Sequence, residues 1–542
     1  MILSAIIPTI SLARTDNAIS SQPLVKKITV ENAPTPKLMQ KQTKAITPQS
    51  QPSTQSRNIA VASTEAPEYH PAISKDPVAG TLLGAYALET DSMNADIYFT
   101  FSTDNGQTWD PGAFIQIEGK EDYPALEYWG RGTTFFGTFC PDQNDAMGSA
   151  QYLFEADDPT DITTWQLISW DWTTYNQRDK ESPDIATYSD VGDHTWFYGV
   201  QVDTESSDYS GQEGEHIPIL YFANYNDETQ GWAWWWNNFE YSAHTAIDMD
   251  ENNGYMYAVW DYDNASEPAQ NRDILLGMAD VHDWWAENWS LNWYTVGESN
   301  VNETYPDVGA VGDRIQIVAQ SDESGNQDII CFYSSDGGDT WSQSTVVDEA
   351  ADELYPRIVS YGEYATCTFV KDGDLYCCQT TDGGITWSTP LKINDNAGTV
   401  PVDYRTNDIT ITGDTLWTDT RAGNEDIYFD NVGGQPPWPF LEVKTFSGGL
   451  GVSVVLTNTG TGPGTNVKWE LAVNGGVLGR INKVVNGTYP SLAVNEEHTE
   501  KTGLFFGLGT ITITVTMTCD EGDSETRTTN GTQLLFFTKV NT

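Results

Sequence analysis

The chain has 542 residues, a net charge of −52 and a hydrophobic content of 39%. This length accommodates more than one domain, and the hydrophobic content is ordinary for a globular protein. The 20 Trp and 26 Tyr residues suit a protein of many β-strands. The large negative charge argues against nucleic acid and anionic membrane surfaces as partners, because like charges repel. A solvated acidic surface fits a protein secreted into salty water.

The N-terminal part has the composition of a leader followed by a tether. Residues 1–13 form a short apolar run that ends in small residues, as before a signal-peptidase cut, although the usual basic residues are missing. Residues 14–66 are rich in Pro, Gln, Ser and Thr and are predicted to be a disordered linker. No stretch reaches the roughly 18 apolar residues of a spanning helix, so no transmembrane segment is predicted. We expect an extracellular or cell-surface protein.

An eight-residue pattern occurs three times in the chain. Its copies read STDNGQTW at 102–109, SSDGGDTW at 334–341 and TTDGGITW at 380–387, and an Asp begins a strand six residues before each copy. Each copy is predicted to be a hairpin turn, in which Ser/Thr and Asp side chains bond backbone amides and Gly adopts positive φ. The residues assigned this structural role are Asp104, Gly106, Trp109, Asp336, Gly338, Trp341, Asp382, Gly384 and Trp387.

This pattern resembles the Asp-box, S/T-x-D-x-G-x-T-W, of the sialidase-like (BNR repeat) β-propellers. The resemblance implies a propeller fold. It also implies that these turns lie between the outer strands of a blade, away from the face that binds substrate. The pattern is therefore informative about fold and says little about function.

A second repeated phrase marks the predicted start of each blade: an aromatic or polar residue, then Pro or a small residue, then a β run. It begins at residues 70, 123, 182, 244, 305, 355 and 404, at intervals of 53, 59, 62, 61, 50 and 49 residues. Such a period indicates propeller blades of about four strands. The predicted fold class is all-β, an Asp-box β-propeller over residues 67–434 with seven blades favoured and six as the alternative. The last blade shows only three strands, and Asn58–Ser63 is the candidate for its fourth.

Residues 440–542 differ in character from the rest of the chain. They follow a Pro-rich boundary at 433–439 and contain Val/Thr/Gly-rich strands at spacings of about 10–20 residues. This pattern predicts a small β-sandwich. It resembles the Ig-like, adhesion-type domains of archaeal and bacterial surface proteins.

Four of the six cysteines, Cys331, Cys367, Cys377 and Cys378, fall in neighbouring predicted strands. One cross-strand disulfide and buried free thiols are both compatible with this placement. The cysteine spacing does not predict a zinc or haem site.

Sialidase chemistry can be tested against the residues. It requires an Arg cluster for the substrate carboxylate, a Tyr nucleophile polarised by Glu, and an acidic general acid/base. The family takes its first Arg from an Arg-Ile-Pro motif before the first Asp-box, but this chain has no Arg between Arg57 and Asp104. Weaker catalytic candidates occur later in the chain: Tyr305, Tyr355, Arg357, Arg405 and Arg421. Both Tyr residues merely continue the blade-start phrase, and Arg421 lies in a turn of the repeat.

Acidic residues dominate the loops predicted to surround the propeller mouth. The ligand-binding candidates are Glu121, Asp122, Asp261, Asp263, Asp352 and Glu353. Such a ring favours a cation or a basic partner, although ordinary solvated turns would have the same composition. The run Asp248–Gly254 resembles a calcium loop, but its Gly is misplaced and a hairpin is favoured. No cofactor is expected to be required, and calcium is the metal ion left open.

Three functions remain. The first is a secreted or surface-attached protein whose propeller mouth binds a glycan, a protein or a divalent cation. The second is an exo-sialidase-type glycoside hydrolase, weakened by the missing Arg-Ile-Pro motif. The third is a structural subunit of a cell-surface layer. Nucleic acid is not an expected partner, whereas a glycan or a surface protein is.

Overall fold

The computed structural model describes 21 segments of the chain. These are residues 37–40, 58–77, 79–91, 94–116, 120–129, 134–142, 151–171, 180–189, 195–203, 217–225, 231–236, 243–250, 254–263, 271–280, 292–296, 301–432, 439, 441–458, 463–493, 496–519 and 524–540. Within these segments the regular structure is β-strand, with two short 3₁₀ turns at Ile162–Thr164 and Val477–Gly479. The chain divides into two compact units, 1–434 and 435–542.

The first unit contains seven antiparallel groups of four strands, which we call blades 1 to 7. Blades 1 and 2 belong to one nine-stranded sheet, in which a parallel bridge joins Ala95 to Lys120. Blade 1 comprises β3 (Glu68–Lys75), β4 (Leu82–Asp91), β5 (Asn94–Ser102) and β6 (Asp110–Gln116), with β1 (Lys37–Gln40) paired to β6. Blade 2 comprises β7 (Lys120–Trp129), β8 (Thr134–Asp142), β9 (Gln151–Ala156) and β10 (Trp165–Asp171). Blade 3 comprises β11 (Lys180–Ser189), β12 (Thr195–Asp203), β13 (Ile217–Tyr225) and β14 (Gly231–Trp236).

The later blades repeat this order. Blade 4 comprises β15 (Ala243–Met249), β16 (Tyr255–Asp263), β17 (Arg272–Asp280) and β18 (Asn292–Thr295). Blade 5 comprises β19 (Glu303–Val311), β20 (Arg314–Ser321), β21 (Asp328–Ser334) and β22 (Ser342–Val347). Blade 6 comprises β23 (Glu353–Tyr361), β24 (Tyr364–Lys371), β25 (Asp374–Thr380) and β26 (Leu391–Lys392). Blade 7 comprises β27 (Asn407–Ile409), β28 (Asp414–Asp419), β29 (Asp426–Asn431) and, from the N-terminal side, β2 (Ile59–Ala62).

The seven blades form a closed ring. The first strand of each blade contacts the first strand of the next, from β3 through β7, β11, β15, β19 and β23 to β27 and back to β3. This cyclic order is that of a seven-bladed β-propeller with the first strands lining the axis. The sequence-based prediction of an all-β, seven-bladed propeller is confirmed, and the six-blade alternative is wrong.

The fourth strand of blade 7 comes from the other end of the propeller sequence. Strand β2 pairs antiparallel with β29, with Ile59 opposite Phe429. Next to it, the Asn58 side chain donates to Asp430 at 3.0 Å and to the Ile393 carbonyl at 3.2 Å. The predicted linker at 14–66 therefore extends too far, because β2 is part of the last blade.

The three eight-residue turns share the hydrogen bonds of their Ser/Thr, Asp and Gly residues, whereas the Trp indole bonds the Gly carbonyl in the first two copies and Ser344 Oγ in the third. In the second copy, the Asp336 carboxylate accepts hydrogen bonds from Ser334 Oγ and from the amide and hydroxyl of Thr340 at 2.6–2.8 Å. The amide of Gly338, which has φ of 91°, donates to Ser334 Oγ at 2.9 Å. Trp341 donates from its indole to the Gly338 carbonyl at 3.0 Å. All three turns connect the third and fourth strands, on the face opposite the start of the first strands.

The first strands share an irregularity at their beginning. Six of the seven show a β-bulge there, for example between Thr304 and Asp307. A residue with positive φ lies at the corresponding place in six blades: His70, Tyr123, His244, Tyr305, Tyr355 and Arg405. Non-glycine residues rarely adopt this conformation, and a bulge redirects the side chain it carries. The bulges place these side chains around the axis at one end of the propeller, which we call the mouth.

Buried carboxyl groups recur at the same places. A Glu at the start of the first strand is at most 2% exposed in blades 1, 2, 5 and 6: Glu68, Glu121, Glu303 and Glu353. Burial raises the pKa of Glu68 and of Glu353 to about 7. Some of the acidic residues of the chain therefore lie inside the blades and not on the solvated surface.

The second unit is a β-sandwich. One sheet consists of β30 (Leu441–Ser447), β31 (Ser453–Asn458) and β34 (Glu497–Lys501). The other consists of β33 (Ile481–Leu492), β32 (Gly464–Gly475), β35 (Gly507–Thr518), β36 (Ser524–Leu535) and β37 (Phe537–Val540) in that order. Alternate residues of both sheets, such as Val454 and Ile513, form one fully buried core.

The four cysteines of blades 5 and 6 are buried free thiols. Cys367 and Cys378 are opposite each other on β24 and β25. Burial raises the pKa of Cys377 to about 11 and that of Cys378 to about 12. These thiols pack as small hydrophobic side chains.

Candidate functional site

The mouth is lined by aromatic rings. The imidazole of His244 lies 3.7 Å from the Tyr305 ring and 5.0 Å from the Tyr404 ring, measured between centroids. Tyr404 is also 5.5 Å from Tyr305 and 6.4 Å from Tyr355. Tyr123 lies 6.3 Å from Tyr404, and we call the group of rings that it joins the aromatic arc. These five rings, from blades 2, 4, 5, 6 and 7, are all partly exposed, so the mouth presents aromatic surface to a ligand.

His70 completes the arc and is held by two carboxylates. It stacks on Tyr123 at 4.3 Å, its Nδ1 lies 2.7 Å from Asp122, and its Nε2 lies 3.7 Å from Asp403. Burial alone would lower the pKa of His70, but the charges of Asp122 and Asp403 outweigh it and raise this pKa to about 9. At neutral pH the imidazole is a cation enclosed by acids. Only Asp403, whose side chain is 65% exposed, is open to solvent.

Asp261 fixes the opposite side of the arc. It is fully buried, lies 2.8 Å from His244 Nδ1, and forms a salt bridge with Arg272. Its other contact is the backbone amide of Tyr305, which donates to Oδ2 at 2.9 Å. Burial would raise the pKa of Asp261, but the charges of His244 and Arg272 hold it below its usual range. Asp261 therefore positions two aromatic side chains of the mouth.

Beneath the rings, charged side chains fill the axis. Arg357 contacts Asp307 at 3.3 Å and Asp408 at 3.2 Å, which joins blades 5, 6 and 7. Arg405 reaches blades 3 and 4, where it donates to the Thr245 carbonyl at 3.0 Å and lies 3.8 Å from Asp184. These contacts cross-link the first strands through the axis.

The aspartates of the axis also bind the backbone of the next blade. The carboxylates of Asp408, Asp184, Asp248 and Asp307 accept hydrogen bonds from the amides of Ile73, Ile247, Ala310 and Ile358 at 2.6–3.2 Å. Burial raises the pKa of Asp248 to about 8 and that of Asp307 to about 6. These groups hold the ring together. Asp248, which began the calcium-like run, is committed to this role.

The catalytic candidates do not assemble a sialidase site. The guanidinium of Arg357 is neutralised by two aspartates, and that of Arg405 is buried beneath the rings, so neither is available for a substrate carboxylate. Burial raises the pKa of Tyr305 and of Tyr355, which makes both poorer nucleophiles. Tyr305 and Tyr355 do contact each other, with ring centroids 4.8 Å apart, but as part of the aromatic arc.

Arg421 lies in the loop between the second and third strands of blade 7. It forms a 2.5 Å salt bridge with Asp419 and donates to Asn58 Oδ1 at 3.0 Å. Its guanidinium also lies over the Tyr428 ring, 4.1 Å from the centroid. Arg421 therefore links the segment that leads into β2 to the rest of blade 7.

The acidic ligand candidates occupy different environments. Glu121, Asp261 and Glu353 are fully buried, because strand-start carboxyl groups pack inside and between blades, and they do not form an exposed acidic ring. Asp352 is exposed, but its Oδ1 accepts the Gln327 amide at 3.0 Å. The side chain of Asp263 lies outside the described residues. Two candidates contact residues of the aromatic arc, Asp122 through His70 and Asp261 through His244.

The described segments lack a metal-binding cluster and a membrane-spanning helix. No group of three or more His, Cys, Asp or Glu side chains in them is arranged to hold a metal ion. No helix in those segments is long and apolar enough to cross a bilayer.

No protein-family model and no curated protein matches the sequence. Solved structures are similar in fold. A Trypanosoma rangeli sialidase in complex with the inhibitor DANA is 10% identical, with 88% of each chain covered and a TM-score of 0.35. A Pyrococcus horikoshii acylaminoacyl peptidase is 9% identical, with 72% of this chain and 57% of that chain covered and a TM-score of 0.41. A GH43 endo-arabinanase from Bacillus licheniformis is 11% identical, with 54% and 98% covered and a TM-score of 0.28. Likenesses this weak carry no inference about activity.

The most prominent residues of the mouth were not site candidates in the sequence. His70, Tyr123, His244 and Tyr404 belong to the blade-start phrase, which in the sequence indicates only the blade period. The bulge with positive φ turns that phrase into a ring of side chains around the axis. The available signal is the recurrence of an aromatic residue at this position in six of the seven repeats, all except the one that begins at Ser182.

Proposed function

We propose that the chain is an extracellular or cell-surface protein that binds a glycan at the propeller mouth. The observation that carries the proposal is the arc of five partly exposed rings together with His70. Sugar rings present apolar C–H faces that stack on aromatic side chains, and hydroxyls that hydrogen-bond to polar groups. Tyr404, which contacts four other rings, is the centre of this surface.

The charged side chains around the mouth indicate which class of glycan would bind there. The groups that flank His70 at the edge of the arc are the acids Asp122 and Asp403. Burial and the charges of Asp403, Glu89 and Asp122 raise the pKa of Glu425, so this region is acidic. The Arg side chains at the axis are already paired with aspartates. The mouth therefore suits a neutral or amine-bearing sugar better than an anionic one. The sialidase-type hydrolase remains the second candidate function, but no geometry among the described residues of the mouth favours it.

The test is a glycan array probed with the full chain, followed by calorimetric titration of the best ligand with and without calcium. We expect Tyr404→Ala and Tyr355→Ala each to weaken binding about tenfold. The matched control is Tyr255→Ala, since Tyr255 is a 37% exposed ring at the opposite end of blade 4. Equal losses in all three variants, or no glycan binding by the folded chain, would refute the proposal. Cleavage of the bound glycan would establish the hydrolase instead.

A further inference from the structure

One end of the β-sandwich is covered with exposed apolar side chains. The loops at this end are residues 448–451, 477–479, 503–508 and 534–537, which we call the apolar tip. They carry ten of the fifteen large hydrophobic side chains that are exposed in the described residues. The most exposed is Leu478, at 83%. A surface of this kind on a soluble domain marks a contact with another molecule.

The four loops form one continuous surface. The β30–β31 loop is bridged to the last strand between Gly449 and Thr538. Gly507 and Leu535 pair at the ends of β35 and β36, which brings the two Phe-containing loops together. The rings of Phe506 and Phe536 lie 5.3 Å apart. Loops from both sheets thus contribute to the same end of the sandwich.

The backbone of the tip holds two leucines in a conformation that leucine disfavours. Leu478 has φ of 60° and Leu535 has φ of 61°, and both side chains are more than half exposed. Gly or Asn adopts this conformation at much lower cost. Strained bulky residues persist where the surrounding structure requires them and cluster at functional positions. Neither leucine contributes to the buried core, so folding alone does not explain them.

Charge identifies the occupant. Three exposed basic residues, Arg480, Lys501 and Lys539, lie within two residues of the tip loops, and we call them the basic collar. None forms an ion pair with the residues that the structure describes. At about 3.3 Å per residue, each lies within roughly 7 Å of the apolar loops along its strand. The tip loops themselves contain no charged residue.

An apolar end bordered by basic residues is the arrangement of a domain that inserts into the interface of an anionic bilayer. A second copy of the chain fits less well, because two tips in contact would bring two basic collars together. We infer that the apolar tip docks the sandwich on a membrane surface containing anionic lipid, with the collar against the headgroups.

The net charge of the whole chain argued against such a surface, but that charge is unevenly distributed. Residues 435–542 contain seven Lys/Arg and nine Asp/Glu, so nearly all of the −52 belongs to the first unit. At physiological ionic strength the Debye length is about 8 Å, which limits electrostatic effects to the charges nearest the bilayer. In a docked sandwich, those charges belong to the collar.

The test is flotation of the full chain with vesicles of phosphatidylcholine alone and of phosphatidylcholine mixed with phosphatidylglycerol, at about 0.15 M salt. We expect flotation mainly with the mixed vesicles. Phe506→Ser with Phe536→Ser should lower partitioning at least tenfold on both compositions. Arg480→Gln, Lys501→Gln and Lys539→Gln together should remove the preference for the anionic lipid, a change of about a hundredfold at about 1 kcal/mol for each basic residue. The control is Leu391→Ser, an apolar residue of the first unit that is 58% exposed.

A second variant separates docking from folding. Leu478→Gly with Leu535→Gly relieves the positive φ, so the melting temperature should hold or rise while flotation falls. The inference is overturned if wild-type chain floats with neither vesicle, or if the tip variants float as well as wild type does. It is also overturned if sedimentation shows a dimer that the Phe506/Phe536 variant dissociates, since the tip would then bind a second copy.

Discussion

Arg357 and Asp307 form a buried ion pair at the propeller axis, with Nη1 and Oδ1 3.3 Å apart and the two side chains 14% and 5% exposed. The same guanidinium contacts Asp408. Burial would lower the pKa of Arg357, but the two aspartates outweigh burial and raise it. The pair joins neighbouring blades where the first strands converge.

Replacing Arg357 by Met should therefore leave two buried carboxylates without their counter-charge. We expect a loss of about 3–5 kcal/mol in the free energy of unfolding, measured by urea titration. The matched control is Arg314→Met, because Arg314 pairs with Glu363 at 2.6 Å where the two side chains are 30% and 51% exposed. That variant should lose less than about 1 kcal/mol. Similar losses in the two variants would contradict the role assigned to the axial pair.

His70 should remain protonated well above neutral pH. Its pKa of about 9 arises mainly from Asp122, so Asp122→Asn should lower it by more than Asp403→Asn does, since Asp403 is farther away and more exposed. The check is an NMR titration of the imidazole carbon-bound protons. Because the folded-state pKa is raised, the stabilisation is complete below about pH 6.5 and disappears as pH rises through about 9. An ordinary histidine titration in the wild-type chain would refute this prediction.

Glu353 should make the propeller more stable in mild acid. Burial raises its pKa to about 7, with Asp328 and Glu349 adding to the effect and Lys371 opposing it. Folded chain then keeps a proton that unfolded chain releases near pH 4.5, so stability falls as pH rises from 4.5 to 7. Glu353→Gln should flatten this part of the profile and gain about 1–3 kcal/mol at pH 8. Glu363→Gln, at an exposed site, is the control, and a Glu353→Gln profile parallel to wild type would disprove the prediction.

Strand β2 should be required for a stable ring. A chain that begins at Thr64 lacks the β2–β29 ladder and the Asn58 contacts. With about 1 kcal/mol for each lost hydrogen bond, it should lose roughly 3–5 kcal/mol. A chain that begins at Asn58 retains both features and serves as the control. Added peptide 58–63 should restore the melting temperature of the shorter chain, and equal stability of the two truncations would rule out closure by β2.

The propeller could be predicted because the sequence features that specify it are local turns and regularly spaced repeats. Turns such as 334–341 specify their own conformation through Ser, Asp and Gly, and repeats of 49–62 residues count the blades. The mouth could be predicted only in part. Its position followed from strand order, but φ of 53° at Tyr305 cannot be inferred from a residue type that normally avoids it. The burial of Glu353 was missed for a related reason, since an acidic residue in a predicted loop is usually solvated.

The closing strand also sets the order of events during synthesis. Ile59 leaves the ribosome before any blade exists, whereas its partner Phe429 is made 370 residues later. At 5–20 residues per second, the gap lasts roughly 20 to 75 s. Throughout that time the blades already synthesised cannot close into a ring, and the most recent blade exposes an unpaired strand edge to neighbouring chains. Residues 58–63 must therefore stay unpaired until the last blade has been synthesised. Mutations that make this segment more prone to aggregate should reduce the yield of folded protein without changing the final fold.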